Sequence, residues 1–309
     1  MNASERKIGA VAVVLLALAA CLPLVDTGYW LSLGITIVMY TVLATSWALF
    51  SGPTHYIAVS TAAFFGIGMY VVGGGVGTLP MPVLVLIAGA LGALVSAFVG
   101  LSTLRLSGVY FVIFTLGLTE LIRELVAYGQ TQLGSTSGLY VLTDITESMI
   151  YWELLALAAI VYLVGWRIWR SRLGFALRII GNDETVALHS GIDTARAKVV
   201  LFVISGTFAA VTGALVAPRW TYVEPVIAFS PMISFQVVIM ALLGGVHRLW
   251  GPLVGVIPFA LVWDLISANF PNQTTLLLGL AFLLVVYVIP HGVVGVIENA
   301  LRRMRGGGS

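Results

Sequence analysis

Residues 82–103 read PVLVLIAGALGALVSAFVGLST, twenty-two positions without a charge. A helix of that length rises about 33 Å, enough to cross the roughly 30 Å hydrocarbon core of a bilayer. A strand of a membrane barrel needs only about ten residues and alternates apolar with polar. The stretch is too long and too uniformly apolar for that, so it reads as a membrane-crossing helix. Much of the chain repeats the pattern: 60% of its 309 residues are hydrophobic and 9% charged, with a mean hydropathy of +1.05. A water-soluble domain cannot cover itself with so little polar surface. The candidate spans are 8–25, 29–50, 56–76, 82–103, 108–127, 150–169, 198–217, 232–244, 251–268 and 274–290. Helices satisfy their backbone groups locally, as the bilayer interior demands. The fold class is therefore all-α, a polytopic membrane helical bundle of about ten transmembrane or re-entrant helices in one domain, 1–309. Two spans stand apart. The 56–76 segment is rich in Gly and 232–244 is short, so either can be a re-entrant or broken helix facing protein or a cavity.

Charge sets the orientation. Threaded from a cytoplasmic N-terminus, the spans leave Arg6, Lys7, Arg105, Arg167, Arg170, Arg172, Arg178, Arg196, Lys198, Arg248, Arg302, Arg303 and Arg305 inside. Only Arg123 and Arg219 fall outside, so 13 of the 15 basic residues are cytoplasmic. That bias predicts an N-in, C-in topology. Arg6 and Lys7 precede an apolar run with no clear cleavage site after it, which reads as a retained first helix. The single cysteine, Cys21, lies in that run and has no partner within the chain. The longest outer loop, 128–149, is rich in Gly, Ser and Thr.

Apolar lipid gives helices no hydrophobic reason to associate, so small residues that admit close backbone approach carry the packing. Ala88, Gly92, Ser96 and Gly100 recur every four residues in one span, and Ser205, Ala209, Gly213 and Ala217 in another. Each set draws a smooth stripe, read first as packing within the bundle and alternatively as contact with a second subunit.

Several chemistries lack their residues. There is no GxxxxGK[ST] loop to cradle a nucleotide, no HExxH and no GxSxG. His55, His189, His247 and His291 match no metal spacing. The chain reads as a non-enzyme with no metal or cofactor of its own, and nothing in it points to nucleic acid. Within 108–127, Thr115, Gly117 and Thr119 precede Glu120, Arg123 and Glu124. Glu120 and Arg123 share a helix face and can pair. Ionisable groups at membrane depth often mark a transport path, whereas at the interface they cost little. Both readings stay open here. Gly117 between two threonines can also permit a helix break that exposes backbone to a polar solute.

The densest hydrophilic stretch, RSRLGFALRIIGNDETVALHSGIDTARAK at 170–198, falls in the cytoplasm. Asn182 or Asp183 can cap a helix, Asp183 and Glu184 suit the positive end of its dipole, and Gly191 suits the left-handed residue that closes it. A helix of about two turns is marginal alone. It is expected to form because something holds it, which makes 170–198 a docking element rather than a solvated connection.

The stretch resembles the coupling loop of ABC importer permeases, through Thr185-Val186-Ala187-x-x-x-Gly191. The rest of the chain resembles the branched-chain amino acid (and urea) permease family. The carrying stretches are AAFFGIGMY (62–70), TLGLTELIRELV (115–126), LGSTSGL (133–139), DETVALHSGI (183–192), FVISGTFAAVTGAL (202–215), YVEP (222–225), LLGG (242–245), LWGPLVG (249–255) and PHGVVG (290–295). The resemblance implies an inner-membrane, multi-pass subunit of a high-affinity bacterial importer. A homologous second permease, two ATP-binding subunits using ATP and Mg, and an external solute-binding protein would complete it. Residues Asp183, Glu184, Thr185, Val186, Ala187, Leu188, His189 and Gly191 would form the ATPase-coupling element. Thr115, Gly117, Thr119, Glu120, Arg123, Ser60 and Phe64 are the candidates for the substrate path. The sequence departs from the family at His55–Ser60, at Val246-His247-Arg248 and at His291. Leucine-type amino acids are the expected cargo, with urea or short amides behind them. The rival readings are an ion-coupled carrier using Glu120, Arg123 and Glu124, and a related ABC sugar permease.

Overall fold

The computed structural model describes residue 16 and residues 19–25, 27–103, 108–132, 138–246 and 248–288. The expected first span, 8–25, lies largely outside the described residues, as do most of LGSTSGL, all of PHGVVG and the basic residues Arg6, Lys7, Arg105, Arg302, Arg303 and Arg305. After a helical turn at Leu22–Val25 come α1 (Tyr29–Thr54), α2 (Thr61–Gly75), α3 (Met81–Thr103) and α4 (Val109–Gln132). A two-residue strand β1 (Leu139–Tyr140) leads to α5 (Glu147–Arg170), and two short helices follow, α6 (Arg172–Ile180) and α7 (Glu184–His189). The chain then runs through α8 (Thr194–Val216), β2 (Tyr222–Val223), α9 (Pro225–Ala228), α10 (Pro231–Gly244), α11 (Gly251–Asn269) and α12 (Thr274–Val288).

Six segments among the described residues are long and apolar enough to cross a membrane: Tyr29–Thr54, Met81–Thr103, Glu147–Arg170, Thr194–Arg219, Pro225–Gly244 and Gly251–Asn269. The chain is a multi-pass membrane protein. The two segments that stood apart in the sequence are those the structure breaks. The helix expected from residue 56 begins only at Thr61 and has 15 residues, about 22 Å and short of a crossing. The short 232–244 span is the longer part of a broken one. α9 is interrupted at Phe229–Ser230, and Pro231 restarts the helix as α10, a position where proline's missing N–H costs nothing.

The hub is α8. It packs most extensively against α3 and α2, then against α1 and α5. The packing is backbone on backbone. A methyl added at Gly213 would sit 2.0 Å from the Phe65 carbonyl oxygen in α2, and one at Gly68 would sit 1.8 Å from the Ala210 carbonyl oxygen. The α3 stripe Ala88, Gly92, Ser96 and Gly100 is wholly buried. It meets α8 at Gly206 and Ala210, one position off the stripe read from the sequence. Gly213 of that stripe serves α2 instead. Both stripes pack inside the bundle.

By the alternation of the helices, Arg167, Arg170, Arg172, Arg178, Arg196, Lys198 and Arg248 gather at one end, called here the basic end. At the other end Leu139 pairs with Val223 and Tyr140 with Tyr222 in an antiparallel ladder. This trims the loop expected over 128–149, because α4 continues to Gln132 and α5 begins at Glu147. Arg219 also sits at this end. It donates to the Ser32 hydroxyl, to Thr36 Oγ1 at 3.4 Å and to the Ser32 carbonyl at 3.5 Å, and it pairs with Glu147 at 3.5 Å. One side chain thereby ties the end of α8 to the starts of α1 and α5.

Because the Gly213 contact is with backbone, no side chain can swing aside to admit a larger residue. Gly213→Val is expected to cost at least the 1–3 kcal/mol typical of overpacking, read as a lowered Tm in detergent. Gly74→Ala, where an added methyl meets nothing within 4 Å, is expected to leave Tm unchanged or slightly raised.

Candidate functional site

Between α1 and α2 the chain unwinds. Pro53 sits in the last turn of α1, where its missing N–H loosens the helix end. His55 then takes the left-handed conformation at φ 58° and closes the helix with its N–H on the Ser51 carbonyl. Residues 55–60 form no helix, and Ala58, Val59 and Ser60 are buried. Out of reach of water a bare backbone polar group costs several kcal/mol, so each needs a partner from elsewhere. Trp47 Nε1 donates to the Ala58 carbonyl at 2.7 Å. Val59 N–H donates to Thr115 Oγ1 at 3.1 Å, and Thr119 Oγ1 donates back to the Val59 carbonyl at 3.4 Å. Ala62 N–H, in the first turn of α2, donates to Ser234 Oγ of α10 at 2.9 Å.

Four candidate path residues thus converge on this segment. Thr115 and Thr119 are fully buried and hold the unwound backbone from the side. Ser60 is buried at the head of α2, where its carbonyl accepts from Ala63 and Phe64. Phe64 packs edge-on against Phe202 at 5.7 Å between ring centroids. Gly117 does not join them. α4 is continuous through it, and its Cα faces open space, so the helix break expected there lies at 55–60 instead. Glu120 and Arg123 do pair, at 2.6 Å, and Glu124 adds a second contact at 3.0 Å. These three share the outward face of α4 with exposed Ile113, Phe114, Leu121 and Leu125. Sequence reasoning missed Ser234 and the buried hydrogen bond from Tyr40 to Gln236. Two polar residues in the short apolar run 231–244 were the available signal.

At the basic end the short helix expected between Asp183 and Gly191 forms as α7, and α6, which the sequence reading did not separate from the loop 170–198, precedes it. Of the two capping candidates Asp183 serves, its carboxylate accepting from Thr185 N–H at 2.7 Å and Val186 N–H at 3.3 Å. Those two backbone bonds hold its carboxyl below the usual carboxylate range. Ala187 is buried. Gly191 adopts φ +75°, as a closing residue requires, and lets Ile192 N–H return to the Ala187 carbonyl at 3.1 Å. On this six-residue helix Val186 and Leu188 are 52% and 57% exposed, and His189 is exposed beside them. Glu184 pairs with Lys198 at 2.5 Å. The sequence placed Lys198 at the end of the hydrophilic stretch. The structure puts it inside α8, buried, because α8 begins four residues earlier than expected.

Thr115→Val keeps the shape but orphans the buried Val59 N–H, at a cost of about 1–3 kcal/mol; Thr115→Ser restores the acceptor and is expected to recover the parent Tm. A depressed folded-state pKa means that the Asp183 cap is present above the carboxyl's unfolded value and lost as pH falls through the folded one. Amide protection at Thr185 and Val186 should therefore hold from neutral pH into the usual carboxylate range and fall below it. In Asp183→Asn that acid-induced loss is expected to vanish.

Comparison with known proteins places this arrangement. The family model described as "Branched-chain amino acid transport system / permease component" matches residues 29–289. The chain is 25% identical over 334 residues to the high-affinity branched-chain amino acid transport system permease protein LivM of Escherichia coli K12, covering 95% of this chain and 76% of that protein. It is 32% identical over 126 residues to LivH of the same strain, a match covering 40% of each. A match to the L-arabinose transport system permease protein AraH of E. coli K12, 30% identical, covers 32% of this chain and 29% of that protein.

Proposed function

Since the chain belongs to the family of permease components of branched-chain amino acid transport systems, we propose that it is the membrane subunit of an ABC importer. It moves branched-chain amino acids, or a related small polar solute such as urea, inward across the bacterial cytoplasmic membrane. A homologous second permease completes the pore, two ATP-binding subunits supply the energy from ATP and Mg, and an external solute-binding protein delivers the solute. The observation that carries the coupling part of this reading is α7. Its termini are fixed by Asp183 and Gly191, it is seated by Ala187, and it presents Val186 and Leu188 outward. Two exposed apolar side chains on a rigid, capped helix suit insertion into a cleft of another protein.

The interior supports an amino acid as cargo. α2 and α10 both begin inside the bundle and are joined where they begin, through Ala62 and Ser234. Their N-termini, each favourable to negative charge, therefore lie beside one another inside the bundle, which suits a carboxylate nearby. The outward face of α4 fits the second permease better than lipid. It carries an ion pair among apolar residues, and charge facing lipid is costly. Nothing in the pairing of Glu120, Arg123 and Glu124 favours an ion-coupled carrier, since the charges already satisfy one another. The AraH match spans about a third of the chain, against nearly all of it for LivM, which ranks amino acids ahead of sugars.

The reading is tested by reconstituting the chain with its co-purified subunits and following ATP-driven leucine uptake. Gly191→Pro changes a left-handed position to one locked near −65° and is expected to abolish uptake while membrane insertion remains normal. Leu188→Asp is expected to lower recovery of ATP-binding subunits at least tenfold. Full uptake by both variants would remove α7 from the coupling path.

A further inference from the structure

We propose that Lys198 is the mechanical link by which movement of α7 reaches the unwound segment at 55–60. The inference rests on the reading of α7 as the coupling element and adds the route inward from it. Lys198 lies one turn inside α8 and is 3% exposed. Its ammonium touches two elements at once. Nζ is 2.5 Å from Glu184 Oε1, in the first turn of α7. It is also 3.2 Å from the Tyr56 hydroxyl and 4.3 Å above the centroid of the Tyr56 ring. Tyr56 belongs to the non-helical segment, two residues before Ala58 and three before Val59, whose backbone is held by Trp47 and Thr115. Its ring continues inward, edge-on to Phe111 at 5.2 Å between centroids.

The physical argument is about which of three partners can give way. A buried ammonium that loses its counter-ion is left desolvated and unpaired, so Glu184 and Lys198 move together or pay heavily. The helix that carries Lys198 is not free to follow, because α8 is locked against α2 and α3 by backbone contacts at Gly213 and Gly92. A displacement of α7 therefore swings the flexible lysine stem and passes to its other partner. That partner sits in a segment without helical bonds, flanked by exposed His55 and Ile57. The compliant element is thus the one whose backbone opens toward α2, Thr115 and Ser234. Of the three donors of this ammonium, one goes to α7 and one to the break between α1 and α2, so it bridges the two.

The test uses the whole complex, purified with its ATP-binding subunits and placed in lipid nanodiscs. The chain has one cysteine, so Cys21→Ser leaves it without a competing thiol, and labelling is read on this chain after the subunits are separated. Ile57→Cys, at a position 42% exposed, then reports on the segment through its rate of reaction with a maleimide. Val186→Cys in a separate variant reports α7 docking by cross-linking to the ATP-binding subunits. We expect Mg-ATP to change the labelling rate of Ile57→Cys. Adding Lys198→Met should remove that change while the ATP-binding subunits still co-purify and still cross-link through Val186→Cys. Glu184→Gln combined with Lys198→Met should reduce the response no further than Lys198→Met alone, as expected for two residues acting as one unit. If Lys198→Met fails to assemble, Tyr56→Leu, which spares the Glu184 pair, should abolish the response instead. An undiminished ATP-dependent change in an assembled Lys198→Met or Tyr56→Leu complex overturns the link. So does an Ile57→Cys rate that ignores Mg-ATP in the parent while Val186→Cys cross-links. Absence of the Val186→Cys cross-link from an assembled parent complex overturns the coupling-helix reading itself and takes the link with it.

Discussion

The structure depends on one constraint: backbone that leaves a helix inside the bundle must find its hydrogen bonds elsewhere. Residues 55–60 leave the helix, and Ala58, Val59 and Ser60 are buried away from water. Trp47, Thr115 and Thr119 supply partners for Ala58 and Val59, and Ser234 takes the Ala62 N–H where the helix restarts. Those four side chains come from α1, α4 and α10. The break therefore fixes how three helices stand around it. Continuous helices would need none of these contacts, and α4 and α10 would be free to rotate about their axes.

Holding a break in place also demands a frame that does not yield. α8 provides it. Its contacts with α2 and α3 are made through glycine and alanine, with carbonyl oxygens where side chains would otherwise lie. Such contacts have no rotamers to exchange, so the three helices move as a body or not at all. Arg219 fastens the far end of that body to α1 and α5. Rigidity is thus concentrated in one trio, while the segment beside it, 55–60, is held by side chains, which have rotamers to exchange. This division is what a transport protein needs. A bundle uniformly stiff could not open, and one uniformly loose could not transmit force.

The sequence is legible where the physics is local. Span length follows from uncharged runs, the caps of α7 from Asp183 and Gly191, and close packing from four-residue stripes. All of these depend on residues within a turn or two of one another. The site is less legible because its partners are distant. Thr115 and Val59 are 56 positions apart, and Ala62 and Ser234 are 172 apart. Reading locally, Thr115 and Thr119 flank Gly117 and suggest a break there. The threonines do serve a break, but one in another part of the chain. Lys198 misleads in the same way. In the sequence it closes a hydrophilic run and looks solvated. Only the reversal of the chain through α7, which brings Glu184 over it, makes its burial affordable.

The position of Glu184 bears on why so short a helix is capped so firmly. Six residues cannot hold a helix by propensity alone. If α7 frayed, its first turn would move independently of its exposed end, and Glu184 would not follow Val186 and Leu188. The Asp183 cap fastens the first turn, the Gly191 closure fastens the last, and Ala187 seats the middle. A push on the exposed face is then felt in full at Glu184. Under the coupling role proposed for α7, the caps read from the sequence as punctuation turn a loop into a lever, and the lever bears on the one buried ammonium among the described residues.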